Sequence, residues 1–300
     1  MTEKIKLTFL GTADSIPSAS RNHTSILLTY GEENLLIDCG EGTQRQIRKA
    51  RLNPCKINRA LITHWHGDHV LGLPGLFQTL VLSGYNKILE VYGPKGTKEF
   101  MANFIKIFIP VLRIKANVQE VSGIFFENDE FYLEALPVSH GVPCNAYSFV
   151  KKDLIRIDKK KLIKYGIKEG RHLGEIKKGK EIIYEGKKYL AKDLTYTEKG
   201  KKICFVLDTS YNKKIVEFVK DADILVCEAS YSENLEEKAK DFFHLTSKQA
   251  AQIASEARVK KLVLTHISAR YEKDMKKILN EAKKIFKNSV LVKDLDKIVL

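Results

Sequence analysis

Within Thr63-His64-Trp65-His66-Gly67-Asp68-His69, three imidazoles and a carboxylate fall in six residues. Neutral imidazole and carboxylate are ligand types that suit zinc. Alternate spacing sets His64 and His66 on one side of an extended segment. The turn at Gly67-Asp68 then sends Asp68 and His69 elsewhere. One short loop can therefore feed two neighbouring metal positions.

The elements that must position this loop alternate between strands and helices. Lys4–Leu10 has strand alternation and runs into a small polar loop, Gly11–His23, able to turn backbone N–H groups and Arg21 towards an anion. Ser25–Thr29 and Asn34–Ile37 read as a hairpin, and Glu41–Leu52 as an amphipathic helix. Arg59–Thr63 is a short apolar strand feeding the histidines. Val70–Leu82 is expected as one helix with Pro74 in its first turn or at its start. Ile88–Val91 reads as a strand, and Lys95–Ile107 as a helix ending before Pro110. Further strands are expected at Phe131–Pro137, Asn145–Val150, Lys201–Leu207, Ile224–Cys227 and Lys261–Thr265. Thr246-Ser-Lys-Gln249 is a capping box that opens a helix to about Ala257, and Lys273–Phe286 is a closing amphipathic helix.

Asp38, His64, His140, Asp208, Glu228 and His266 each fall just past the C-terminal end of an expected strand. Parallel or mixed sheets gather such positions on one rim, where α/β folds place their sites. His64, His66 and His140 would hold one zinc ion, and Asp68, His69 and His266 a second, with Asp208 bridging them. Manganese or iron would tolerate the same ligands. Two metals about 3.5–4 Å apart lower the pKa of a shared water towards neutrality and clamp the attacking and leaving oxygens of an in-line displacement. For His244, just before the capped helix, two readings stay open. It is a turn residue at a helix N-terminus, or a general acid for the leaving oxygen, oriented by Glu228.

Composition narrows the class. The chain has 300 residues, 44% hydrophobic, with 14 Phe and 12 Tyr, enough for a large globular core. No apolar signal region and no membrane-length apolar run is expected, so no membrane partner. Five scattered cysteines without a C-x-x-C pair read as buried thiols of a reducing cytoplasm. The net charge is +14, and Lys151–Lys202 alone carries 18 Lys+Arg against 8 Asp+Glu. This segment is punctuated by Gly166, Gly170, Gly174, Gly179 and Gly186, lacks proline, and reads as an excursion from the core. Such a basic face favours a polyanion, although a solvated lysine surface has the same composition.

The chain resembles the metallo-β-lactamase superfamily and, within it, the tRNase Z (ribonuclease Z) family. The residues that carry the resemblance are Phe9-Leu-Gly-Thr-Ala-Asp-Ser-Ile-Pro17, Arg21-Asn22, Leu36-Ile-Asp38-Cys-Gly-Glu-Gly-Thr-Gln-Arg45 and Thr63–His69. His140, Asp208-Thr209, Glu228-Ala-Ser-Tyr231, His244-Leu-Thr246 and His266-Ile-Ser-Ala-Arg270-Tyr271 complete it. The resemblance implies one α/β domain over residues 1–300, an αβ/βα sandwich with a dinuclear zinc site, two ions per subunit and no organic cofactor. It implies a homodimer that cuts precursor tRNA after the discriminator nucleotide and leaves a 3′-hydroxyl on the tRNA, a metal-bridging hydroxide attacking the phosphodiester. By the same carry-over Asp68 is a ligand and proton acceptor, Glu228 and His244 relay a proton to the leaving group, and Asp38 supports the histidine loop from behind. Residues 151–200 match the position of an inserted flexible arm that grips tRNA. RNA contacts are expected from Arg21, Arg270, Lys177, Lys178 and Lys180. The family's arm often has a Gly-Pro tip, which this sequence lacks. Competing functions are a dizinc hydrolase of small esters or phosphodiesters, for which a basic insert has no use, and an RNA-binding module with structural zinc.

Overall fold

The computed structural model describes residues 3–108 and 114–300; the expected helix stop at Pro110 lies outside the described residues. In chain order the strands are β1 (Ile5–Gly11), β2 (Ser25–Tyr30), β3 (Glu33–Ile37), β4 (Arg59–Leu61), β5 (Ile88–Gly93), β6 (Lys115–Glu120), β7 (Gly123–Glu127), β8 (Phe131–Ser139) and β9 (Pro143–Lys151). They continue as β10 (Leu154–Ile157), β11 (Ile182–Tyr184), β12 (Lys187–Tyr189), β13 (Thr195–Glu198), β14 (Lys201–Val206), β15 (Ile224–Glu228), β16 (Leu262–Thr265), β17 (Ser289–Leu291) and β18 (Lys297–Val299).

Two seven-stranded sheets form, in the orders β18-β1-β2-β3-β4-β5-β6 and β17-β16-β15-β14-β9-β8-β7. Each sheet contains a parallel run, β3 to β6 in one and β14 to β17 in the other. Parallel strands buried on both faces read as continuous apolar runs, as in Ile224–Cys227, whose side chains are all buried. β18 pairs antiparallel with β1, aligning Thr8 with Lys297 and Lys6 with Val299. Between the sheets, Tyr147 Oη donates to Ile62 O at 2.7 Å and the Tyr30 and Phe149 rings meet edge-on. Helices pack on the outer faces, those at Thr43–Lys49, Leu73–Leu82 and Thr97–Phe108 against the first sheet. Lys213–Phe218, Ser247–Glu256 and Met275–Ile285 pack against the second. This is the αβ/βα sandwich. Thr246 caps Ser247–Glu256 with both halves of the capping box present.

The expected single helix Val70–Leu82 is instead two, Gly67–Val70 and Leu73–Leu82, with Pro74 in the first turn of the second. Gly72 explains the break. Its N–H donates to Cys39 O, and a Cβ there would lie 2.1 Å from Gly40 O. The close approach ties the histidine loop to the end of β3. Cys55 is only half-buried, whereas the other four cysteines are buried.

A second compact unit comprises Glu127–Tyr132 and Val150–Lys201. It is a folded excursion with a small core of Leu162, Ile167, Ile176, Ile182, Ala191 and Leu194. β10 pairs with β13, and β11 with β12. The β11–β12 turn has positive φ at Glu185 and Gly186 (48° and 76°), as two-residue hairpin turns require.

Candidate metal centre

The strand ends deliver the site. Asp38 directly follows β3, His140 follows β8 and His266 follows β16, while Asp208 lies two residues beyond β14 and Glu228 is the last residue of β15. Asp38, Asp208 and His266 sit in the left-handed backbone region, with φ of 55°, 49° and 53°. Asp and His are enriched among non-glycine residues there, but each such residue still costs about 1–3 kcal/mol. The surrounding hydrogen bonds must offset that strain. Gly40 is equally constrained, since a Cβ would meet Asp68 O at 2.4 Å.

Among the described residues three groups of ligand atoms result, each within 4.8 Å: His64, His66 and His140; Asp68, His69, Asp208 and His266; and Asp208, Glu228, His244 and His266, which overlaps the second. In the first, His66 Nδ1 lies 3.0 Å from His64 Nε2 and 3.2 Å from His140 Nε2. Zinc with three imidazoles at tetrahedral angles would set its nitrogens about 3.3 Å apart. In the second, Asp68 Oδ2 is 3.3 Å from His69 Nε2 and 3.5 Å from His266 Nε2. Asp208 spans both groups. Its Oδ2 lies 3.3–3.7 Å from the Nε2 atoms of His64, His69 and His140, and its Oδ1 3.2 Å from that of His266.

Hydrogen bonds behind the imidazoles fix which nitrogen faces inward. His69 Nδ1 donates to Asp38 Oδ2 at 2.7 Å, and His140 Nδ1 to Phe243 O at 3.0 Å. His266 Nδ1 reaches Ser230 Oγ at 2.9 Å. The Nε2 lone pairs of His69, His140 and His266 are thereby turned to the cluster, which His66 meets through Nδ1. His69 Nε2, His266 Nε2 and Asp208 Oδ1 are buried without a hydrogen-bond partner. Buried polar atoms are normally satisfied, so converging orphaned acceptors fit a cation.

Electrostatics agree. Burial, then neighbouring His69, holds His64 well below the usual imidazole range. Burial also opposes charge on His69 and His266, yet the nearby carboxylates, Asp208 first, outweigh it and raise both. For Asp208, burial pushes upward but His266 and His69 hold the carboxyl well below its usual range. The cavity beside these groups has a volume of about 570 Å³ and is also lined by Tyr231, His244 and Arg270.

His244 is not merely a turn residue. Its Nδ1 lies 3.0 Å from Glu228 Oε2, and its ring lines the cavity beside His140 and His266. Glu228 is fully buried, accepts from Thr209 N at 2.7 Å, and accepts from Ser230 Oγ at 2.6 Å. Burial lowers the His244 pKa, but Glu228 and then Asp208 reverse this and raise it to about 9.

A curated ribonuclease Z from Bacillus cereus (strain B4264) is 39% identical over 306 aligned residues, covering 97% of this chain and 98% of that protein. The chain belongs to the ribonuclease Z family. Among solved structures, the short form of human tRNase Z is similar with a TM-score of 0.71 at 27% identity, covering 98% of both chains. The metallo-β-lactamase fold protein YhfI from Bacillus subtilis shares the fold, with a TM-score of 0.73 at 19% identity over the full length of both. A family model described as anti-Pycsar protein Apyc1 matches residues 5–99. As a ribonuclease Z family member the protein is a hydrolase of the metallo-β-lactamase fold with a divalent metal cofactor, for which the donor cluster has suitable ligands.

Two residues of the site were not singled out from sequence. Thr63 donates from N and Oγ1 to the two oxygens of Asp38, each at 2.7 Å. Ser230 links Glu228 to His266. Two-residue spacing from Glu228 was the available signal for Ser230. Arg21 corrects an expectation: it is only 7% exposed, and its Nε donates to Thr12 Oγ1 at 3.0 Å. Its guanidinium is largely committed to the fold, although the residue still lines a surface cavity with Ser20 and Asn22. Arg270 is exposed and stacks over Tyr231 at 4.8 Å. Lys177, Lys178 and Lys180 are exposed on the second unit, the latter two paired with Glu175.

Asp38 yields a first expectation. Asp38→Ala removes the acceptor behind His69 and Thr63, and is expected to weaken zinc binding about 10- to 100-fold. Competition with a chromophoric chelator measures this, with circular dichroism checking the fold. Unchanged affinity would show that the histidine loop is held without Asp38.

Proposed function

We propose that this protein is a zinc-dependent endoribonuclease that removes the 3′ trailer of precursor tRNA after the discriminator nucleotide, acting as a cytoplasmic homodimer with two ions per subunit. The observation that carries the reading is the pairing of two donor groups on Asp208 with a Glu228–His244 dyad on one cavity wall. His64, His66 and His140 would hold one ion, and Asp68, His69 and His266 the other, with Asp208 between. Bound divalent ions supply Lewis acidity and a nucleophilic water at neutral pH. Asp68, with its carboxyl held below the usual range by His266 and His69 despite burial, stays ionised as a ligand; its role as acceptor of the attacking water's proton rests on the family resemblance. His244, whose pKa Glu228 raises against burial, faces the cavity and can donate to the departing 3′ oxygen, while Glu228 fixes the orientation of its ring.

No described helix is long and apolar enough to cross a membrane. The deciding experiment is cleavage of a precursor tRNA transcript by zinc-loaded protein, with product ends mapped; an unprocessed trailer overturns the reading. Sedimentation mass tests the dimer.

The basic unit separates an RNA substrate from a small ester. Exchanging Lys177, Lys178 and Lys180 for alanine is expected to raise the KM for precursor tRNA, and to flatten the slope of log affinity against log salt by about 2–3. Small phosphodiesters, which contact too few charges to show such a slope, should be hydrolysed as before. Unchanged salt dependence would remove these lysines from the RNA interface.

A further inference from the structure

Two consecutive aromatic rings face solvent at the mouth of the cavity. Phe242 is 57% exposed and Phe243 43%, and both line the cavity. Phe243 also has φ 55°, a region where a bulky residue is a genuine outlier. That strained backbone has two consequences. The Phe243 carbonyl accepts the His140 Nδ1 hydrogen bond at 3.0 Å. The ring lies against Gly141, where an added Cβ would come within 3.3 Å of Phe243 Cδ2. Turning the Phe243 backbone would release His140, so the ring is held in place beside the donor cluster.

Charge at the mouth is mixed. Lys238 and Arg270 line it, but so do Asp14 and Asp241. Lys238 Nζ stands 6.0 Å from the centre of the Phe242 ring. Phosphate attraction alone therefore gives a strand little reason to settle in one register here. An exposed, flat apolar ring is what an unpaired nucleobase binds by stacking.

We propose that Phe243 is a base-stacking residue that seats an unpaired nucleobase flanking the scissile phosphodiester and so sets the register of the RNA. The proposal rests on the reading of the protein as an RNA phosphodiesterase. A side-chain exchange leaves the carbonyl that orients His140 in place, so stacking can be tested without deleting that bond.

The test uses full-length, zinc-loaded Phe243→Leu and Phe243→Trp proteins, with melting temperatures checked. Precursor tRNA transcripts are either intact or carry one abasic residue on one side of the scissile bond. Phe243→Leu is expected to raise KM on the intact transcript about tenfold, with the smaller part of the loss in kcat, and Phe243→Trp to restore it. On the transcript abasic at the stacked position, wild type itself should show the higher KM and Phe243→Leu should add nothing. The abasic arm that behaves this way identifies which flanking nucleotide is seated. Equal losses on all transcripts would indicate a structural role and overturn the proposal, as would an unchanged KM. A 2-aminopurine at either flanking position gives a readout independent of cleavage. Its fluorescence should be quenched on binding wild type and less so on binding Phe243→Leu; equal quenching refutes stacking. Wild type that binds and quenches but does not cleave would sink the nuclease reading and leave stacking standing.

Discussion

Replacing Asp208 by alanine is expected to remove metal and cleavage together. Among the described residues this carboxylate alone lies within reach of the inward nitrogens of His64, His69, His140 and His266. Without it, two buried imidazoles whose charge it supports lose their main counter-ion. Both donor groups would then relax apart. Metal Lewis acidity is worth several kcal/mol of transition-state stabilisation, so the cleavage rate should drop by more than about a hundredfold. Elemental analysis after gel filtration should show sub-stoichiometric zinc. Wild-type cleavage with a full zinc complement would dismantle the site as described.

His244→Ala is the second large effect, about 10²- to 10⁴-fold on single-turnover cleavage, with far less change in KM. Its sign with pH follows from the imidazole's surroundings. Burial disfavours the charge, but Glu228 and Asp208 outweigh burial and lift the pKa to about 9. The protonated form is the acid, so wild-type kcat should hold through neutral pH and fall as pH rises through that value. Cations beside Asp208 repel the imidazolium and draw the falling limb lower. In His244→Ala this limb should vanish. A variant that kept it, or cleaved at the wild-type rate, would place the leaving-group acid elsewhere.

Much of the site was legible because metal ligands are few in type and lie at strand ends. Asp38, His64, His140, Asp208, Glu228 and His266 could be placed on one rim from apolar runs and the residues that stop them. The direction in which a side chain leaves a loop is not encoded so locally. Arg21 lies in a small polar loop that suits an anion site, yet Thr12 captures its guanidinium inside the fold. For Ser230 the spacing from Glu228 was the one local signal, since its role depends on His266, far along the chain. Among the elements, β6 was missed because Lys-Ala-Asn-Val-Gln-Glu lacks a clear apolar face, and it is strand only through pairing with β5. β17 and β18, three residues each, are too short for periodicity to register. The break at Gly72 reflects contact with Gly40, a tertiary event that composition cannot report. For the second unit, glycine and lysine content suggested an excursion, whereas its small core comes from scattered Leu and Ile.

The pairing of β1 with β18 joins Thr8 to Lys297 across nearly the whole sequence. On a ribosome, β1 emerges long before β18, and its flank stays uncovered until that strand follows. Until then the layer that carries Asp38 and His64 has a bare margin, open to wrong partners, and its completion is a slow, distant closure. Chains that stop short of β18 would thus be poor nucleases, so the ability to cut RNA waits on a strand far from the residues that bear the chemistry.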